Sequence, residues 1–530
     1  MVIRSHYPDV AIPEVSLADF LLADIGGKYE DYVALVSAET GKEYTFNEVR
    51  FYVRRVASAL TRLGFGKGDV FCIYCPNIPE FALMFLGVLA VGGVVTTANP
   101  MYRHDELIPQ LKNTAAQYII TFEDAVPIAQ QAASEVGLKA VYVFGEAPGC
   151  RSFSELLADD GSMCPKYVPV NPKEDVAILP SSSGTTGLPK AVMLTHYNVV
   201  GNLIQMRELV YRGKPGDALM GALPFFHSFG MLVIMLGGIK YKQKVVCISQ
   251  FNPLLFLESI QKYRVRMLPC VPPMALLLAK HPIVDNYDLS CLEDILCAAA
   301  PLGVETEREL KKRFNTEVGQ GYGLTETSPC VSASPPTDRH PGASGVLMPN
   351  TECKVVDIET GKELGQDQDG ELWFRGPQVM KGYLNNPQAT AATVDKDGWL
   401  HTGDIGHYDS GHQLYIVERL KELIKYKGFQ VPPAELEAVL LSHPAILDAA
   451  VVGIPDQEAG ELPFAMVILK EGKKATKKEV ADFVAGKLAP YKRLRGGVEF
   501  VDEIPKSASG KILRRLIRDE IAKRRTKSKL

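Results

Sequence analysis

Between Tyr44 and about Gln250 the sequence alternates two textures. Short β-branched runs (VFCIYC, VVTTANP, AQYIITF, KAVYVFG, DVAILP) are separated by PEFALMFLGVLA and AVPIAQQAASEVG, which carry helical spacing. Strands joined through helices pair as parallel neighbours, with the helices covering the sheet. Phe251–Leu324 repeats the theme, with LLFLESIQKY and ERELKKRF helical and RVRMLPCVP and TEVGQGYG extended. The fold class expected is α/β. Ser334–Arg375 then turns rich in Pro, Gly and Asp, with short strands such as ECKVVDI and GELWFRG, which reads as a small β-barrel or sheet appended to the body. The last hundred or so residues, from ELEAVLLSH to KILRRLIRDEIAK, read as a compact α+β unit. The charged stretch VERLKELIKYKG marks the join, giving an N-terminal body over 1–418 and a small C-terminal domain over 419–530.

A chain of 530 residues exceeds what one ordinary core supports. With 58 basic and 62 acidic side chains the net charge is −4, which offers no dedicated nucleic-acid surface. The start, MVIRSHYPDV, lacks the apolar core of a signal peptide. Cys72 and Cys75 form a C-x-x-C inside a strand-like run with no second pair, so buried reduced thiols are expected. FALMFLGVLAVGGVVTT (Phe81–Thr97) approaches a membrane span in length. Its glycines and its β-branched second half favour a buried helix stopping at Gly92-Gly93, then a buried strand, and no membrane span is expected. The final Ser528-Lys529-Leu530 matches a peroxisomal address. It predicts peroxisomal localisation and an import receptor as partner.

Ser181–Lys190 reads SSSGTTGLPK, which sets hydroxyls and mobile amides beside one cation. Glycine-rich backbone turns converge on anions, so a phosphate chain is the natural ligand. The P-loop pattern G-x-x-x-x-G-K-[ST] is absent, and strand-like DVAIL and KAVML flank the stretch, so strand–loop–strand is expected, with a helix starting near Thr195. QGYGLTET (Gln320–Thr327) offers a turn with a carboxylate at Glu326, a residue type suited to phosphate-bound Mg²⁺. HTGD places Asp404 after a tight turn, Arg419 and Lys421 sit at the join, and KSASGK adds a second glycine–lysine loop ending at Lys511. Each stretch alone also reads as a plain turn, cap or solvated surface.

Taken in order, SSSGTTGLPK, LPFFHSFGM, AAAPLG, QGYGLTET, GELWFRG, KGYLNNPQAT, DGWLHTGD, ERLKELIKYKGFQV and PKSASGK make the chain resemble the adenylate-forming superfamily from about Tyr44 to about Leu513. That superfamily holds acyl-CoA synthetases, 4-coumarate–CoA ligases and beetle luciferases. The resemblance implies ATP, Mg²⁺ and coenzyme A as cofactors and a two-step reaction. A carboxylate attacks the α-phosphorus of ATP, and the coenzyme A thiol then displaces AMP. It also implies roles for residues. Ser182, Ser183, Gly184, Thr185 and Thr186, with Gly187 and Lys190, wrap the β- and γ-phosphates. Ala299, Ala300 and the turn Gln320, Gly321, Tyr322, Gly323 frame the adenine. Thr325 contacts the α-phosphate, Glu326 the Mg²⁺, and Asp404 the ribose with Arg419 in support. Lys511 bridges the acyl carboxylate and the α-phosphate. Lys421 is the hinge about which the small domain swings, withdrawing Lys511 and bringing Lys425, Lys427, Gly428 and Gln430 to the site. His227 gates the acyl pocket.

Four positions depart from the usual pattern: Ala191, Glu418, Ala298 and Phe226. None removes a charged catalytic group, and Phe226 disfavours the luciferase alternative. A non-catalytic binding protein, the other alternative, would have been signalled by loss of Lys511, Glu326 or Asp404, and all three are present. The acid expected is hydrophobic, a fatty acid first and an arylpropenoate second.

Overall fold

The computed structural model describes residues 2–23, 25, 27–182, 189–335, 337–427, 429–456, 458–507 and 510–527, with backbone alone at 525–527. The alternating texture builds two nine-stranded sheets. The centre of the first is parallel, with Val94–Ala98, Val70–Tyr74, Tyr118–Phe122 and Ala140–Phe144 side by side. Its other end is antiparallel: Val176–Leu179 pairs Lys190–Thr195, which in turn pairs Ser181–Ser182 and Gly382–Tyr383. The second sheet is parallel from Val33–Ser37 through Lys244–Cys247, Ala218–Gly221, Val265–Cys270 and Asp294–Cys297 to Glu317–Gly323.

Helices cover these strands for readable reasons. Phe46–Arg62 opens with a capping box between Thr45 and Glu48, and its Val49, Val53, Val56 and Leu60 face the core at helical spacing. Its neighbour Pro79–Ala90 is buried on nearly every side, and Gly87 lets the two helices touch, since a Cβ there would lie 2.4 Å from Val56 Cγ1. The apolar stretch from Phe81 is thus a 12-residue core helix followed by the Val94–Ala98 strand. Among the described residues no helix is long and apolar enough to cross a membrane. Cys72 and Cys75 are fully buried and unpaired.

The unit expected as a small β-barrel or sheet takes the form of a five-stranded antiparallel sheet in the order Ile3–Arg4, Glu352–Val356, Gly370–Arg375, Leu400–Tyr408, Leu414–Arg419. Its two outer strands do not pair with each other among the described residues. The Ile3–Arg4 strand, far away in sequence, supplies one edge. Beyond Arg419 a separate sheet begins at Ile424–Tyr426. It contains Phe429–Val431, Gly460–Leu469, Ile446–Asp456 and Gly497–Phe500, and is packed with the helices Pro433–Leu441, Lys477–Lys487 and Arg514–Lys527. The terminal helix starts at Arg514, three residues after Lys511.

Candidate active site

The two ends of the stretch that opened the phosphate question, Ser181–Ser182 and Lys190–Thr195, are strands. Ser181 and Ser182 pair antiparallel with Ala191 and Lys190, and Thr195 caps the helix His196–Gln205. Ser183, Gly184, Thr185, Thr186 and Gly187 lie outside the described residues, as does Gly428. Against the Ser181–Ser182 strand lies the short 3-10 turn Thr325–Thr327. Thr325 Oγ1 stands 3.4 Å from Ser228 Oγ. Glu326 is buried, and its Oε1 accepts from the Tyr383 hydroxyl at 2.8 Å. The turn closes tightly because Gly323 has no side chain: a Cβ there would sit 1.8 Å from the Pro329 carbonyl oxygen.

Around this turn stand the other expected residues. Ala299 and Ala300 follow the Asp294–Cys297 strand, and Ala299 holds a left-handed φ of +73°. Such a conformation costs an alanine roughly 1–2 kcal/mol. The Gln320 side chain secures this loop: its Oε1 accepts from Leu302 N–H at 2.8 Å and its Nε2 donates to Leu302 O at 3.1 Å. Gly321, Tyr322 and Gly323 end the strand Glu317–Gly323. The Tyr322 hydroxyl donates to Asp404 Oδ2 at 2.6 Å, and Asp404 Oδ1 lies 3.3 Å from Arg419 Nε. Burial raises the Asp404 carboxyl above the usual range, against the pull of Arg419 and Tyr322.

Lys511 reaches this cluster from the C-terminal sheet's side. It sits in a turn in which its N–H donates to Ser507 Oγ at 3.1 Å and its carbonyl accepts from Ser507 N–H at 2.8 Å. Desolvation, then the Arg419 guanidinium, push its ammonium down to about 8, while Asp404, Glu326 and Glu422 pull the other way. Gly510 rests on the N-terminal body, where a Cβ would lie 3.0 Å from Val271 Cγ2 and 3.3 Å from Pro273 Cδ. His227 completes the group. Burial, then Lys511, hold it down to about 3, so it is a neutral imidazole. Its Nδ1 accepts from Phe229 N–H at 3.3 Å, which leaves the ring proton on Nε2. The loop bearing it is fixed by Asn77, whose Nδ2 donates to the carbonyls of Gly221 and Leu223, and by Thr97 Oγ1 donating to Phe226 O at 2.8 Å. It leads into the fully buried π-helix Phe229–Leu236.

The structure thus gathers Thr325, Glu326, Asp404, Arg419, Lys511 and His227. It does not bring Lys425, Lys427 and Gln430 among them: these are exposed on the hairpin formed by Ile424–Tyr426 and Phe429–Val431. Lys421 lies exposed between the two sheets. Sequence reasoning passed over Tyr383, although KGYLNNPQAT contains it, and Arg514, which binds Glu437 and Glu422 within the C-terminal part, beside the join. A tyrosine in a polar motif was the available signal for the first. The second had none, because its partners lie 77 and 92 residues away.

The family model for the AMP-binding enzyme matches residues 22–384, and that for the AMP-binding enzyme C-terminal domain matches 435–511. A 4-coumarate–CoA ligase of Vanilla planifolia is 43% identical, over 98% of this chain and 96% of its own. A probable 4-coumarate–CoA ligase 3 of Dictyostelium discoideum is 42% identical, over 97% of each. The ATP-bound structure of MatB from Rhodopseudomonas palustris superposes with a TM-score of 0.86 at 27% identity, covering 96% of this chain and 99% of that one. An enzyme body matched over most of its length and a matched C-terminal domain that delivers Lys511 to Asp404 and Glu326 leave one conclusion: the chain belongs to the adenylate-forming, AMP-binding enzyme family.

Proposed function

We propose that this site adenylates a hydrophobic carboxylic acid with Mg·ATP and then transfers the acyl group to coenzyme A. AMP-forming acid–thiol ligase activity, with ATP and coenzyme A, is what the family match and the ligase relatives support. One observation carries the residue-level reading: the Lys511 ammonium stands within electrostatic reach of Arg419, Asp404, Glu326 and His227. A cation positioned where a carboxylate must approach a phosphate offsets charge that develops in the transition state. The neutral His227 adds no charge beside the acid. Asp404, with one oxygen toward Tyr322 and the other toward Arg419, holds the ribose hydroxyls. The swing of the domain over 419–530 about Lys421 then exchanges Lys511 for the exposed Lys425–Gln430 hairpin.

Glu326 fits a phosphate-bound Mg²⁺. It is one buried carboxylate with one oxygen taken by Tyr383, and among the described residues nothing donates to the other. One carboxylate plus substrate phosphates is the usual protein share of such a site. When bound, the ion neutralises phosphate charge.

The acid's tail runs along the apolar π-helix Phe229–Leu236. A fatty acid is favoured by the peroxisomal tripeptide at 528–530, which lies outside the described residues. An arylpropenoate is favoured by the names of the relatives. The test is a panel of fatty, arylpropenoic and aryl acids with ATP, measuring pyrophosphate release with and without coenzyme A. Pyrophosphate release that needs no acid, or acyl-AMP that coenzyme A does not discharge, would overturn the reading.

A further inference from the structure

We propose that Tyr383 is a positioning residue for the adenylation step, its hydroxyl orienting Glu326 toward the divalent cation and its ring holding the Lys190 ammonium at the end of the phosphate loop. The inference rests on the reading of Glu326 given above.

Tyr383 is buried, and its two ends touch groups from different elements. Its O–H donates to Glu326 Oε1 at 2.8 Å. On its face, Lys190 Nζ lies 4.6 Å from the ring centroid. The backbone on either side is tied to the same two elements. Met380 N–H donates to the Glu326 carbonyl at 2.8 Å, Lys381 N–H to Met193 O at 3.0 Å, and Leu384 N–H to Ala191 O at 2.9 Å. The pair Gly382–Tyr383 adds a strand to Met193 and Val192, and Tyr383 N–H is fixed by Thr390 Oγ1 at 2.9 Å. One five-residue segment therefore locks the carboxylate turn to the strand that Lys190 begins.

The chemistry of each contact is complementary. A hydroxyl on Oε1 stops the carboxylate from rotating and leaves Oε2 for an outside ligand, as groups behind a metal ligand commonly do. An aromatic face attracts an ammonium without neutralising it, unlike a carboxylate. The Lys190 charge is thus steadied yet remains available to phosphate. A plain packing role for the ring would explain neither the hydroxyl on Glu326 nor the ammonium over its face.

Two variants separate the two halves. Mn²⁺ binding is measured by electron paramagnetic resonance in the presence of a non-hydrolysable ATP analogue. Analogue binding is also measured without metal, and pyrophosphate release is followed against Mg²⁺ concentration. Tyr383→Phe should weaken Mn²⁺ binding about 10- to 100-fold. It should recover its maximal rate at high Mg²⁺ and bind the metal-free analogue as the wild type does. Tyr383→Leu should lose affinity for the metal-free analogue as well. Mn²⁺ binding within twofold of wild type in Tyr383→Phe, or a rate that added Mg²⁺ does not restore, overturns the hydroxyl role. Unchanged analogue binding in a folded Tyr383→Leu overturns the ring role, and Tyr383→Phe still decides the hydroxyl if the leucine variant does not fold. Glu326→Gln is the reference. If it too keeps Mn²⁺ affinity, the metal reading of Glu326 fails. If it alone loses affinity, only the Tyr383 inference fails.

Discussion

Asp404 and Arg419 stand directly opposite each other on neighbouring antiparallel strands, and both act on Lys511 from across the domain join. Arg419 pushes the lysine's proton off while Asp404 helps retain it. As pH rises through about 8, Lys511 loses its charge, so kcat/KM for the acid should fall along that limb. In Asp404→Asn only Glu326 and Glu422 are left to oppose the guanidinium, and the limb should move to lower pH. ATP affinity should fall about 10- to 100-fold, as expected for a lost hydrogen bond to a charged group. A pH profile of acid-dependent pyrophosphate exchange checks both, and an unmoved limb would separate Asp404 from Lys511.

Lys511→Ala should fold normally and bind ATP. Its adenylation rate should drop by about 10²–10³, the usual scale for removing one electrostatic group from a transition state. Conversion of supplied acyl-AMP and coenzyme A to thioester should continue, because the proposed swing brings the other face of the small domain to the site for that half-reaction. Adenylation at the wild-type rate would remove Lys511 from the mechanism.

Lys421→Pro fixes φ at the join. Pyrophosphate exchange should survive and thioester formation should fall steeply. Equal loss of both half-reactions would place the rotation elsewhere.

Buried Arg514 binds Glu437 and Glu422, with Glu418 3.7 Å away. Burial holds Glu418 up at about 7, from an ordinary 4.5, with Glu437 and Glu422 adding to the rise and Arg514 opposing it. The folded chain therefore keeps a proton between pH 4.5 and 7 that the unfolded chain releases. That contribution to stability is complete below pH 4.5 and is lost as pH rises through 7. Denaturant titrations of Glu418→Gln across this window should show a flatter profile. Arg514→Met leaves two buried carboxylates, Glu418 and Glu437, and the half-buried Glu422 without their cation and should cost about 3–5 kcal/mol.

Deleting Ser528–Leu530 should leave activity intact and keep a fluorescently tagged chain in the cytosol. Peroxisomal retention without the tripeptide would set the tail reading aside.

Local patterns were enough to read the parallel cores of the two large sheets, because each strand and helix carries its own periodicity and its own caps, as Thr45 and Thr195 illustrate. The motif order made Glu326, Asp404, Arg419 and Lys511 legible as one set. What stayed hidden depends on contacts between distant segments. Ile3–Arg4 joins a sheet with residues some 350 positions later, and nothing in two residues announces it. The Gln320 amide is engaged by Leu302 and Glu307, a use visible only once the loop is folded back. The partners of Tyr383 and Arg514 were equally unreadable, since hydrogen bonds across 57 and 77 positions leave no spacing in the chain.

The bare α-carbon of Gly510 resting on Val271 and Pro273 makes the fit between the two parts of the chain a matter of tenths of an ångström. A methyl group here would act as a spacer, holding the lysine beside it short of its anions while leaving every charge in place. The reach of the Lys511 cation is therefore metered by a glycine: it is set by how closely backbone can lie on a neighbour's surface. A chain with the same charged residues and a bulkier residue at 510 would keep its chemistry and lose its calibration.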